Sequence, residues 1–354
     1  MSGFPSGRPV LPPMPITAWP SLLSLDAVFV ALSWQQLLLW SFCHRAASWL
    51  EMGSLAAAVW LIYVADRLLD AARLQLNQPH TLRHRFYLTY NRSILLLWFI
   101  VLVFATVIVV RYLPSDLLRG GLLLGSAVVV YGSHIHFTAK TLPGSTPARL
   151  SSAANFSIPK EIRVGTLFAL GVALTTFTQL AANSPFASNP PTQAVSLLGS
   201  ATELLGVLVT GPMATLAATS VALALLFSCN CMLVARFERD LDRAQAFASI
   251  ATQPAQWSLG CWPLHPELQL HPKFQPAQLT CTCLSVLLLV LCQLPTIILI
   301  AVGASALGLL VSITLPNQTC TLLVPPAAQT AFDIRSVWVD AALWTPPVVL
   351  LNLF

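Results

Sequence analysis

Nine stretches of this chain are long and apolar enough to cross a lipid bilayer, and they constrain the fold more than any other feature. A membrane helix needs about 20 mostly apolar residues. The runs lie at 22–42, 52–69, 94–112, 117–136, 164–182, 213–234, 279–294, 296–314 and 337–354, with a break at Pro295 separating the seventh from the eighth. Residues 194–210 are apolar around Glu203 and read as a re-entrant or interfacial piece, or as a tenth span. Composition agrees: 56% of the 354 residues are hydrophobic and 9% are charged, with mean hydropathy +0.74. Soluble domains carry roughly 25% charge, so a soluble enzyme, a nucleic-acid binder and a disordered tail are excluded. The expected fold is an all-α, polytopic transmembrane bundle of about nine helices. A Pro-rich tail, residues 1–20, precedes a single membrane domain, 21–354, with polar loops at 70–93, 137–163 and 236–276. The tail has no apolar core of a signal peptide, so the first run reads as a retained span.

Charge sets the expected orientation, because Lys and Arg accumulate on the cytoplasmic side. With the N-terminus inside, only Arg45, Arg111 and Arg119 fall on the far side, and the other fifteen of the 18 bases fall on the near side. Trp19, Trp40, Trp49, Trp257, Trp262 and Trp338 stand near predicted span ends, where an aromatic belt places them. The eight cysteines are scattered through mostly apolar stretches and form no disulfide framework.

The acids are more selective. Asp66 and Asp70 end the second span in Asp66-Arg67-Leu68-Leu69-Asp70, and Glu238 and Asp242 end the sixth in Glu238-Arg239-Asp240-Leu241-Asp242. Both segments fit acid-Arg-x-x-Asp at matching helix ends, a weak internal repeat. Positions i and i+4 share a helix face, so each motif projects two carboxylates together, while Asp240 points away. Counted from Met52, Asp66 lies about 21 Å along its helix at 1.5 Å per residue, still inside a hydrocarbon core about 30 Å thick. A carboxylate there is costly unless it meets a cation or a polar cavity. Two resolutions exist. Arg67 and Arg73 answer the acids as helix-end salt bridges, or a hard cation such as Mg²⁺ bridges them to phosphate oxygens, with Arg and Lys nearby serving the phosphate.

At these residues the chain resembles the UbiA superfamily of intramembrane prenyltransferases, whose members have nine helices and Asp-rich motifs ending helices 2 and 6. Asp66 and Asp70 match the last two aspartates of the first family motif, N-D-x-x-D-x-x-x-D, and Ile62 and Tyr63 stand at its Asn and first Asp. Glu238-Arg239-Asp240-Leu241-Asp242 resembles the second motif, with Glu for the leading Asp. Lys160, in Pro159-Lys160-Glu161-Ile162-Arg163-Val164-Gly165, matches a phosphate-contacting family Lys before the fifth helix. Arg73, Arg83 and Arg85 sit where the family's basic stretch follows the first motif. The resemblance implies transfer of a prenyl group from an allylic prenyl diphosphate to a lipophilic or aromatic acceptor. Mg²⁺ would be held by Asp66, Asp70, Glu238 and Asp242, with Asp240 beside them. The diphosphate would be held by Lys160, Arg73, Arg83, Arg85 and Arg239, with Asn230 lining the cavity and the loop 243–276 capping it. Charge on the leaving diphosphate is what such cations stabilise.

Other groupings read more plainly. His80 and His84 flank Arg83 in a polar loop and read as solvated, or as groups that touch phosphate or deprotonate an acceptor. Cys261, His265 and His271 lack the fourth ligand and the tight pairing of a zinc site. Asp26 and Asp340 read as interface residues, and Asn230 equally as a helix–helix hydrogen-bonding group. Two alternatives to the enzyme stand: a polytopic transporter, and a non-catalytic membrane protein whose acid–Arg motifs are structural salt bridges. Transporter sites usually lie near the midplane, whereas both motifs crowd one face.

Overall fold

The computed structural model describes residues 18–74, 79–138, 159–183, 211–245, 294–315, 319–324 and 328–353. The expected span at 279–294 lies outside the described residues apart from Leu294. So do the stretch 194–210, most of the loops 137–163 and 243–276, and the Cys261, His265 and His271 grouping.

In chain order the elements are α1 (Trp19–Leu22), α2 (Leu25–Cys43), α3 (Trp49–Ala71), β1 (His80–Thr81), α4 (Leu82–Thr89), α5 (Asn91–Tyr112) and α6 (Ser115–Thr138). There follow α7 (Lys160–Ala182), α8 (Pro212–Phe237), α9 (Arg239–Ala244), α10 (Thr296–Thr314), β2 (Thr319–Val324), β3 (Ala328–Asp333) and α11 (Ile334–Leu351). Six of the described helices, α2, α3, α5, α7, α8 and α10, are long and apolar enough to cross a membrane. The chain is thus a multi-span helical membrane protein. The two other long helices, α6 with 24 residues and α11 with 18, coincide with two more of the expected runs.

Local chemistry explains the helix ends. Ser48 and Glu51 form a reciprocal capping box at the start of α3, and Arg45 donates to both Glu51 oxygens at 2.7 and 2.9 Å. That pairing closes the α2–α3 turn, where His44 adopts φ 52°. Pro212 follows Gly211 at the start of α8, a first-turn position where the missing N–H has no intrahelical role.

Packing divides into two clusters. The larger joins α2, α7, α8, α10 and α11 through Trp34, Leu37, Val172, Leu223, Phe227, Ile298 and Val339. Helices α7 and α8 pack tightly at Gly165. A Cβ on Gly165 would meet Ser228 and lie 2.9 Å from the Ala224 carbonyl, so only glycine permits that approach. The smaller cluster gathers Ala18, Leu22, Val64, Ala71, Leu82, Phe86 and Tyr87 from α1, the end of α3, and α4. Helix α5 buries none of its residues; Leu96, Phe104 and Val110 point outward at 64–67% exposure. An all-round apolar surface of this kind belongs in lipid.

One feature differs from the expectations. A three-stranded sheet, ordered β1-β3-β2, forms from two strands between α10 and α11 and one just before α4, where the hydropathy pattern carries no strand signal. Strands β2 and β3 pair antiparallel from Thr319↔Asp333 to Val324↔Ala328, and β1 joins β3 in parallel through His80↔Thr330. Helix α11, over the last expected run, continues through Pro346 and Pro347. Pro347 cannot donate to the carbonyl of Leu343, four residues earlier. The indole Nε1 of Trp34 donates to that carbonyl instead, at 3.0 Å.

Candidate functional site

The charged residues gather at the end of the bundle where α3 and α8 finish and α7 begins. The i, i+4 geometry holds for the second motif: the Asp242 N–H donates to the Glu238 carbonyl at 2.9 Å, so both carboxylates rise from one face of the α8–α9 junction. Asp240 is exposed, as its spacing implies.

The two motifs face one another, and α4 stands between them. Arg83 on α4 forms an ion pair with Glu238, and both side chains are largely buried. Beside it, His84 Nε2 lies 3.9 Å from Asp70, and its Nδ1 lies 2.9 Å from the Thr81 hydroxyl that caps α4. Arg67 is surrounded by the charges of Asp66, Glu238, Asp70 and Asp26. Asp242 has Glu238, Lys160, Arg67 and Asp70 as its charged neighbours. The structure therefore brings together α3, α4, α7 and α8–α9.

Electrostatics at this end follow from burial and from the mixture of signs. For Asp242, burial comes first and the charge of Glu238 second; together they push its carboxyl from 3.8 up to about 7. Glu238 behaves oppositely: burial disfavours its charge, but Arg83 and Arg67 outweigh that and hold it below the usual carboxylate range. Burial, reinforced by Arg67, pulls His84 from 6.5 down to about 3. The contact of His84 with Asp70 thus joins a neutral imidazole to a carboxylate, and is not an ion pair at neutral pH.

The remaining expected residues are placed as follows. Asp66 is exposed and Asp70 half-buried at the end of α3, and Arg73 is exposed just past it. Arg85 is buried in α4. Lys160 is the first residue of α7, half-buried, and its carbonyl lies 3.4 Å from the Tyr131 hydroxyl of α6. Arg239 is half-buried, and its Nε, like Nη1 of Arg236, is buried without a hydrogen-bond partner among the described residues. Asn230 donates to Asp340 of α11 at 3.2 Å, deeper in the bundle. Sequence reasoning missed four contributors: Glu161 is buried at the start of α7, Ser24 at φ 55° meets the Tyr87 hydroxyl at 3.0 Å, and Gln245 donates to the Pro79 carbonyl at 3.0 Å. Glu161 adjoins Lys160 and was within reach of the sequence; the other links are through-space.

The arrangement compensates acid with base. Among the described residues no group of three or more His, Cys, Asp or Glu is placed to hold a metal ion. Asp70, Glu238 and Asp242 offer the oxygen ligands Mg²⁺ takes, but the Glu238 carboxylate is already engaged by Arg83. Comparison with protein families, with curated proteins and with solved structures finds no match to this chain.

Proposed function

We propose that this is a non-catalytic multi-span membrane protein whose acid–Arg motifs are structural, the second one held to α4 by an inter-helix ion-pair clamp at the cytoplasmic end of the bundle. One observation carries the reading: the Arg83 guanidinium is spent on Glu238, the leading acid of the second motif. Two buried charges that satisfy one another need no metal, and removing either partner strands the other. Breaking a buried pair costs about 3–5 kcal/mol.

A second reading is supported by a different observation. Asp242 is buried beside Glu238 and Asp70 with no ion pair to a described side chain, and a buried guanidinium nitrogen on each of Arg236 and Arg239 lacks an acceptor among the described residues. Surplus charge of both signs is what a metal diphosphate would absorb, in line with a nine-helix, UbiA-like prenyltransferase. Asp66, Asp70, Glu238 and Asp242 would then hold Mg²⁺, which would offset charge on the leaving diphosphate. Lys160 and Arg239 would orient the phosphates.

One experiment separates the two. Thermal unfolding of the purified protein in detergent is followed with EDTA, with Mg²⁺, and with Mg²⁺ plus a labelled allylic prenyl diphosphate. The clamp reading expects one midpoint in all three conditions and no release of diphosphate. It also expects Arg83→Gln and Glu238→Gln each to lower the midpoint, with the double variant less destabilised than the sum of the singles. A midpoint raised by Mg²⁺ and diphosphate together, lost in Asp242→Asn, replaces the clamp with the transferase.

A further inference from the structure

The links between α4 and the α8–α9 end differ in kind from those that hold α4 to the rest of the bundle. Leu82, Phe86 and Tyr87 seat α4 on α1 and the end of α3, in the smaller apolar cluster. Most buried apolar residues of α8, Leu216 to Leu233, belong to the larger one. Among the described residues, polar contacts join the two sides: Arg83 on Glu238, and the Gln245 amide on the Pro79 carbonyl. A seam of polar contacts opens at lower cost than an apolar core, because water takes the place of each lost partner.

We propose that α4 is a latch over the acid pairs at this end of the bundle, with the Arg83–Glu238 ion pair as its catch. When the catch is closed, Asp242 is 9% exposed and His80, Thr81 and Gln245 at the seam are each below 5%. When it opens, α4 stays on its apolar seat and Arg83 swings out to water, which uncovers Glu238 and Asp242 together. The long, flexible Arg side chain reaches Glu238 from a helix whose own packing is elsewhere, so the catch is released without unfolding a span. Salt alone leaves it closed, since buried pairs are weakly screened. The proposal rests on the ion-pair reading of the motifs. Its test uses no metal, so it fails or succeeds independently of the Mg²⁺ titration above.

The test is thiol accessibility. Asp242→Cys is introduced into the full chain in detergent, and its reaction with a polar thiol reagent is followed by peptide mass spectrometry, which separates it from the eight native cysteines. Losing one partner of the buried pair is expected to speed labelling at position 242 at least about tenfold in Arg83→Gln, and likewise in Glu238→Gln. The swapped pair, Arg83→Glu with Glu238→Arg, is expected to return labelling to the slow rate. Equal rates with and without Arg83→Gln overturn the latch, as does a swapped pair that stays fast. Loss of the cooperative unfolding transition in either single variant also overturns it, since the pair is then a requirement for folding.

Discussion

Asp242 and His84 show how one end of a membrane bundle sets opposite pH responses in neighbouring side chains. Folding raises Asp242 from 3.8 to about 7, so between these values the folded chain keeps a proton that the unfolded chain has released. Its contribution to stability is therefore present at low pH and lost as pH rises through 7. His84 falls from 6.5 to about 3, so the unfolded chain binds the extra proton across that window and stability is lost as pH drops. Asp242→Asn removes the first response and leaves the second. Its thermal midpoint is expected to exceed that of the parent by clearly more near pH 8 than near pH 4.5. The same gap at both values would show that Asp242 titrates as a solvated carboxyl.

At the scale of elements, hydrogen bonds across helices repair what the sequence breaks within one. Helix α11 contains Pro346 and Pro347 and still runs from Ile334 to Leu351. The Trp34 indole supplies the donor that Pro347 lacks at the Leu343 carbonyl, and Trp34 is fully buried. Trp34→Phe keeps an aromatic ring but leaves a buried carbonyl unsatisfied, at a cost of about 1–3 kcal/mol. A lowered midpoint with α11 amides exchanging faster than those of α8 is the expected outcome; unchanged exchange in α11 sinks this account of the helix. The α7–α8 contact depends in the same way on a single residue type, Gly165, because Ser228 and the Ala224 carbonyl occupy the place of a Cβ.

For the whole molecule, the bilayer decides which surfaces need partners. Helix α5 has no buried residue; Trp98 ties it to α3 through the Leu61 carbonyl, and lipid covers the outward face that carries Leu96, Phe104 and Val110. The orientation expected from the bases puts Arg92 inside and Arg119 outside. Both are exposed, at opposite ends of the α5–α6 pair. In sealed cells, Arg119→Cys is expected to react with an impermeant thiol reagent, and Arg92→Cys only after permeabilisation. The reverse pattern inverts the topology and moves the acid motifs to the outer face.

The sequence by itself determined the class of protein, the position of the described spans and the clustering of acids at two helix ends. These are legible because hydropathy and i, i+4 spacing are local properties of contiguous residues. It also raised the salt-bridge reading of the motifs, but through Arg67 and Arg73, the neighbours along the chain. Only the tertiary structure decided the partners: Arg83 for Glu238 across 155 positions, Asp340 for Asn230 across 110, and Trp34 for Leu343 across 309. The β1–β3 pairing belongs with them, since β1 has two residues and carries no alternation of its own. The physical reason is that a buried charge or carbonyl takes its partner from whatever packing brings within about 3 Å, and packing follows the helix contacts of the whole bundle.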